Sequence, residues 1–208
     1  MLRVAILDDH PAVLTGLERL FDRAGMHPVV VVDEPQGLFR GLDAVRADVV
    51  VLDYDLARGD GLTLCHRLKE RVLPPAVVVY SAYAGPALAI AARVAGADAV
   101  VDKRSPARQL VDAVRRAAAG EVVVPAIPPE LREAAISRLD PEDVPVASMR
   151  LAGTSHQGVA EALGADRREI VRRVRRIVGQ LRPKTAPQPT RREAAPAYGA
   201  RRERLAGG

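Results

Sequence analysis

Four apolar runs in the first half of the chain each lead into residues able to do chemistry. Asp8 and Asp9 follow Val4–Leu7, Asp53 follows Val49–Leu52, Ser81 follows Val77–Tyr80, and Lys103 stands just beyond Ala99–Val101. Carboxylates crowded together repel one another, and a hard divalent cation is the usual remedy. Mg²⁺ held by two or three of them would also hold a phosphoryl donor and neutralise the charge on its oxygens. Asp53 would then be a nucleophile that forms an acyl phosphate. Ser81 and Lys103 would donate hydrogen bonds to the bound phosphoryl oxygens. The lysine is informative because Lys69, Lys103 and Lys184 are the only lysines among 31 basic residues. Five unrelated polar residues at strand ends are the plainer alternative, and their joint spacing argues against it.

The elements that would carry these residues can be read from periodicity. The runs Val4–Leu7, Val29–Val32, Val49–Leu52, Val77–Tyr80 and Ala99–Val101 are valine-rich with little polar alternation. That is the pattern of parallel strands covered on both faces. Amphipathic stretches near 12–24, 36–46, 61–71, 86–95 and 106–119 predict the intervening helices, with Pro86 and Pro106 in first turns and Ser105 as the last cap. Five βα units predict an α/β domain with a doubly wound five-stranded parallel sheet over residues 1–120. In such a sheet the ligand sits beyond the carboxyl ends of the strands, where all five polar residues should meet.

Residues 1–120 resemble the receiver domain of two-component signalling, a flavodoxin-like fold. The family carries an acidic pair after strand 1, a phosphoacceptor Asp after strand 3, a Ser or Thr after strand 4 and a Lys after strand 5. All are present here in order, with Asp9 and Asp53 44 residues apart and Asp53 and Lys103 50 apart. The resemblance implies that Asp8, Asp9 and Asp53 bind Mg²⁺, with the backbone carbonyl of Asp55 as a further ligand. Ala57 stands where the family often has Pro, and Val100 where it usually has an aromatic switch residue. Asp53-Tyr54-Asp55 also resembles the nucleophile motif of haloacid-dehalogenase-type phosphohydrolases. That family has its acidic pair downstream of the nucleophile, whereas here it lies upstream, so the order favours a regulator over an enzyme.

Residues 121–138 hold Pro125, Pro128 and Pro129 and a short helical run, and read as a linker. Residues 139–182 are helical without strands. Asp166 with Glu169 has capping-box spacing, and Ile170, Val174, Ile177, Val178 and Leu181 make one apolar stripe. Arg168, Arg172, Arg175 and Arg176 fall on the opposite side, with Arg173 flanking them. An arginine face suits a major groove, although a solvated charged face would look the same in isolation.

The stretch from Leu139 to Leu181 resembles the LuxR-type helix-turn-helix of NarL-family response regulators. Gly153, Ser155, Val159, Ala160, Leu163, Ile170, Ile177 and Leu181 match its turn and apolar positions. The resemblance places base-reading positions at Val171, Arg172 and Arg175. Pro145 interrupts the expected first helix and predicts a start shifted toward residue 145. Pro183, Pro187 and Pro189 occupy the place of the family's fourth helix, used in pairing, and residues 183–208 read as a disordered basic tail.

Charge is unevenly spread. From residue 141 onward there are 14 Arg and Lys against seven Asp and Glu, while residues 1–140 carry 17 against 19. A basic C-terminal third over a near-neutral body is suited to a polyanion, or to a solubilising tail. Cys65, the single cysteine, lies on a helical apolar face and reads as core. His10, His27, His66 and His156 are scattered and receive no role. No apolar run approaches membrane-spanning length, so a cytoplasmic location is expected. The reading is a phosphorylation-gated transcriptional regulator that takes its phosphoryl group from a sensor histidine kinase. It would bind double-stranded DNA and act as a homodimer. The alternative is a receiver whose C-terminal module contacts protein instead.

Overall fold

The computed structural model describes residues 1–57 and 59–183. Five parallel strands, β1 (Arg3–Leu7), β2 (His27–Val32), β3 (Val49–Asp53), β4 (Ala76–Ser81) and β5 (Ala99–Asp102), form one sheet in the order β2-β1-β3-β4-β5. The helices α1 (Pro11–Arg23), α2 (Pro35–Ala44), α3 (Gly61–Lys69), α4 (Pro86–Ala95) and α5 (Ala107–Ala118) alternate with them. Every expected strand and helix is present, with ends displaced by a residue or two. Ser105 is not the cap of α5: Pro106 occupies that position without a side-chain hydrogen bond.

Strand β3 is buried throughout, as its unbroken apolar run requires. Helices α1 and α5 cover one face through Leu17, Phe21, Leu110 and Val114, packed on Ile6, Val49 and Val51. The other face supports Leu38, Leu62, Leu68 and Leu88 of α2, α3 and α4. The order of strands reverses between β1 and β3, which opens a crevice at their carboxyl ends.

Beyond α5 the chain turns back along the edge of β5. The Val100 amide donates to the Val123 carbonyl at 2.9 Å, and the Val123 amide to the Asp98 carbonyl at 2.9 Å, a parallel bridge that protects the edge. Helix α6 (Pro129–Ile136) follows and packs on α4.

Three helices complete the described chain: α7 (Asp143–Leu151), α8 (His156–Leu163) and α9 (Arg167–Leu181). Helix α7 begins two residues before Pro145, earlier than expected. In the first turn a proline lacks only an amide that would have no intrahelical acceptor. Ser155 caps α8 by accepting from the Gly158 amide, and Asp166 caps α9 by accepting from the Arg168 and Glu169 amides. The predicted stripe of Ile170, Val174, Ile177, Val178 and Leu181 is buried.

Part of that burial comes from the α/β layer, because α9 packs on α3 and α4, and α7 packs on α4. The two halves therefore share one hydrophobic core. None of the described helices is long and apolar enough to cross a membrane. The fourth-helix and tail expectations concern residues 183–208, of which all but Pro183 lie outside the described residues.

Candidate phosphoacceptor site and arginine helix

Strand register brings the acidic residues together. Leu7 pairs with Leu52, so the next residues, Asp8 and Asp53, emerge side by side at the crevice. Asp53 pairs with Tyr80, which puts Ser81 one step beyond, and Ser81 pairs with Asp102, just before Lys103. All five predicted chemical residues thus lie at the same end of the sheet.

Asp53 is 3% exposed, and Lys103 bridges it to Asp8, with Nζ 2.8 Å from Asp53 Oδ2 and 2.7 Å from Asp8 Oδ2. Burial raises the Asp53 carboxyl above its usual value, and the Lys103 ammonium partly offsets this. For Lys103 burial opposes the charged form, but hydrogen bonds to Asp53 and Asp8 outweigh it and the pKa rises. The lysine is thus held charged between Asp53 and Asp8. The buried Ser81 Oγ accepts from the Tyr83 amide at 3.0 Å, which leaves its hydroxyl hydrogen able to donate.

Asp9 is anchored by the Ala57 amide, 2.7 Å from Oδ2. Its Oδ1 is buried without a hydrogen bond, although His10 Nδ1 lies 2.8 Å away. One ligand atom each from Asp8, Asp9, His10 and Asp53 can be chosen so that all lie within 4.8 Å of one another. A cluster of hard carboxylate oxygens with an orphaned buried oxygen fits Mg²⁺. The half-buried Asp55 donates its amide to Asp53 Oδ1 at 3.3 Å, so the expected carbonyl ligand adjoins Asp53.

At the other end of the chain Arg168, Arg172, Arg175 and Arg176 are exposed, as the helical period predicts. They are not equivalent. Asp143, fully buried at the start of α7, receives Arg173 Nε at 2.9 Å on one oxygen and Arg176 Nη2 at 2.7 Å on the other. Arg176 also reaches Glu142 Oε1 at 2.9 Å, and Arg173 bonds the Glu142 carbonyl. Arg168, Arg172 and Arg175 have no such partner among the described residues. Val171 is half-buried, and its carbonyl faces His66 Nε2 of α3 at 3.1 Å.

Sequence reasoning missed this junction. His66 and His156 stack edge to face with centroids 5.0 Å apart. Burial, reinforced by the positive charge of Arg150, pushes their pKa values down to about 4 and about 3. Arg167 adds a bond to the Glu70 carbonyl at 3.0 Å, and Arg182 pairs with Asp60. No spacing rule links residues so far apart in sequence. Cys65 is the core residue expected, its thiol pushed up to about 12 by burial.

A sheet of this order places a lysine-bridged aspartate at its switch point. The response regulator receiver domain family matches residues 4–115, more than half of the chain, and the chain belongs to that family. Its likeness to regulators extends further. It is 24% identical over 196 residues to the nitrate/nitrite response regulator protein NarL of Escherichia coli K12, covering 88% of this chain and 90% of that protein. It is 28% identical over 195 residues to the DNA-binding transcriptional activator DevR/DosR of Mycobacterium tuberculosis, with 87% and 88% covered.

Among solved structures, the response regulator RcsB in its DNA complex matches in fold with a TM-score of 0.58 at 23% identity, over 86% of this chain and 91% of that one. The receiver domain of a putative NarL regulator from M. tuberculosis matches with a TM-score of 0.54 at 30% identity, over 58% and 98%. The chain therefore has the architecture of a two-component response regulator, a receiver followed by a NarL-type helical region.

Proposed function

We propose that this chain is a transcriptional regulator whose binding to double-stranded DNA is gated by phosphorylation of Asp53, not an enzyme acting on a diffusible substrate. The observation that carries the reading is Lys103 held between Asp53 and Asp8 at the switch point of a receiver sheet. A sensor histidine kinase supplies the phosphoryl group: an Asp53 oxygen forms the new O–P bond as the N–P bond to the kinase imidazole breaks. Lys103 and Ser81 hydrogen-bond the transferred oxygens, and Asp8, Asp9, Asp53 and the Asp55 carbonyl hold Mg²⁺. When bound, Mg²⁺ neutralises charge on the phosphoryl oxygens.

Residues 1–120 serve as the receiver, 121–138 as the linker and 139–182 as the DNA-binding module, with Arg168, Val171, Arg172, Arg175 and Arg176 on its DNA side. The protein works in the cytoplasm and pairs as a homodimer when active. In the described arrangement α9 is held against α3, so phosphorylation acts by releasing it.

The test is direct. A small phosphodonor with Mg²⁺ should add one phosphoryl group, and Asp53→Asn should prevent it. A phosphoryl mimic should then strengthen gel shifts of genomic fragments. Labelling that persists in Asp53→Asn or ignores EDTA overturns the chemistry. Phosphorylation without any DNA retention would favour a protein partner for the helical module.

A further inference from the structure

The two halves of the molecule exchange arginines. Gly96, at the end of α4, has φ +106°, and a Cβ there would stand 2.5 Å from Arg150 Nη2 of α7. Gly153, beyond α7, has φ +97°, and a Cβ there would stand 3.0 Å from Arg93 Nη2 of α4. Each glycine thus makes room for a guanidinium contributed by the other half, besides adopting a backbone conformation that other residues resist.

Both guanidiniums are buried, Arg93 at 6% and Arg150 at 5% exposure. Their hydrogen bonds go to backbone carbonyls. Arg93 Nη1 donates to Ala97 at 2.5 Å, Arg150 Nε to Val94 at 3.1 Å and Arg150 Nη1 to Thr154 at 2.5 Å. Among the described residues neither forms an ion pair. The carboxylate nearby, Asp98, is held by Lys69 Nζ at 2.6 Å and by the Val77 amide at 2.7 Å. Three cations therefore face one carboxylate that is already engaged. Burial lowers the Arg150 pKa to about 10 and lowers that of Arg93 as well. Unpaired buried charge is costly, and a counter-ion is the natural compensation.

A cleft of about 170 Å³ opens among these groups, and Lys69, Arg93, Asp98, Arg150, Ser155 and His156 line it. Ser155 and His156 form the N-terminus of α8, the positive end of that helix. His156 is 3% exposed, and its Nε2 is buried with no hydrogen-bond partner. The cleft is smaller than the roughly 300–1,000 Å³ of pockets for drug-sized ligands.

We propose that this cleft binds a small tetrahedral oxyanion, inorganic phosphate or the phosphate of a small phosphomonoester, which joins the receiver to the helical module. Surplus positive charge and a helix N-terminus call for the same ligand class, and a bound anion favours the protonated His156 ring, whose Nε2–H then donates to it. Because the lining comes from both halves, the anion stabilises the docked arrangement, and undocking releases it.

The test uses the full chain in EDTA, which removes divalent cations from the acidic pocket, and needs neither DNA nor phosphorylation of Asp53. Potassium phosphate is titrated against potassium chloride at constant ionic strength, following amide NMR signals and the thermal midpoint. Phosphate should give saturable shifts at Gly96, Gly153 and Ser155 and raise the midpoint, and chloride should do neither. A parallel titration with glycerol 3-phosphate distinguishes the free ion from a monoester, since a monoester site binds it at least as well.

Arg150→Gln should weaken phosphate about tenfold. Ser155→Asp keeps a good helix cap but puts a carboxylate in the cleft, so it should abolish the phosphate effect in a folded protein. Shifts that do not saturate, or that chloride reproduces, overturn the proposal. So does wild-type phosphate affinity in Ser155→Asp.

Discussion

His66 Nε2 stands 3.1 Å from the carbonyl oxygen of Val171, so a receiver histidine touches the backbone of the arginine helix at one of its expected base-reading positions. Docking covers that side of α9, and the burial of the ring, which outweighs this hydrogen bond, makes docking sensitive to protons.

Acid should undock the two halves. His66 and His156 are held neutral, with pKa values of about 4 and about 3 against 6.5 when free, so the undocked state binds more protons below pH 6.5. The docking contribution is complete above that pH and is lost as pH falls from about 6.5 toward 4 and 3. Fully expressed, the cost is on the order of 3 kcal/mol for His66 and about 5 kcal/mol for His156. At His66 the Val171 carbonyl and Glu70 Oε1, 3.2 Å away, favour the charged ring, while Arg150 and Arg175 oppose it; at His156 Arg150 and Arg167 oppose it. Small-angle scattering at pH 7 and pH 4.5 should show expansion, and His66→Gln should blunt it. A pH-independent radius would refute the latch.

Lys103→Ala should leave Asp8 and Asp53 facing each other without their shared cation. Removing one partner from a buried ion pair costs about 3–5 kcal/mol, so the thermal midpoint should fall in EDTA. Mg²⁺ should then raise the midpoint more in the variant than in the wild type, because it replaces the missing charge. Calorimetric scans with and without Mg²⁺ measure this, and an equal Mg²⁺ effect in both proteins would contradict it.

Asp143→Asn should damage the helical module more than any exposed charge. It removes the buried carboxylate that receives both Arg173 and Arg176, and an estimated loss of about 3 kcal/mol follows from the stranded guanidiniums. Chemical denaturation would check this against Glu142→Gln, which alters only an exposed pair and should cost below about 1 kcal/mol. Similar costs for the two variants would argue against the central role of Asp143.

The arginines should separate into readers and holders. Arg172→Ala and Arg175→Ala, on the exposed face, should each cost about 1–3 kcal/mol on a specific DNA site and much less on random DNA. Deleting residues 183–208, which removes Arg191, Arg192, Arg201, Arg202 and Arg204, should weaken all DNA alike and flatten the salt dependence. Fluorescence anisotropy on both DNAs at several salt concentrations decides it. If only the deletion weakens specific binding, the helix is merely a charged surface.

The sequence by itself determined the sheet, the acidic pocket and the arginine face. Each rests on local information: apolar runs that must be buried as strands, polar residues at strand ends that converge in a parallel sheet, and a helical period that separates apolar from charged positions. Lys103 could be assigned because one lysine at the end of β5 had to reach the same crevice as Asp8 and Asp53. Only the tertiary structure decided which arginines are free, because Asp143 lies 30 residues from Arg173 and 33 from Arg176. It also decided that His66 meets Val171, 105 residues away, and that Arg150 reaches the end of α4 at Val94, 56 residues away. These pairings arise from the docking of two separately patterned halves. Docking depends on surface shape and on compensation of buried charge, and neither leaves a period or a spacing in the chain.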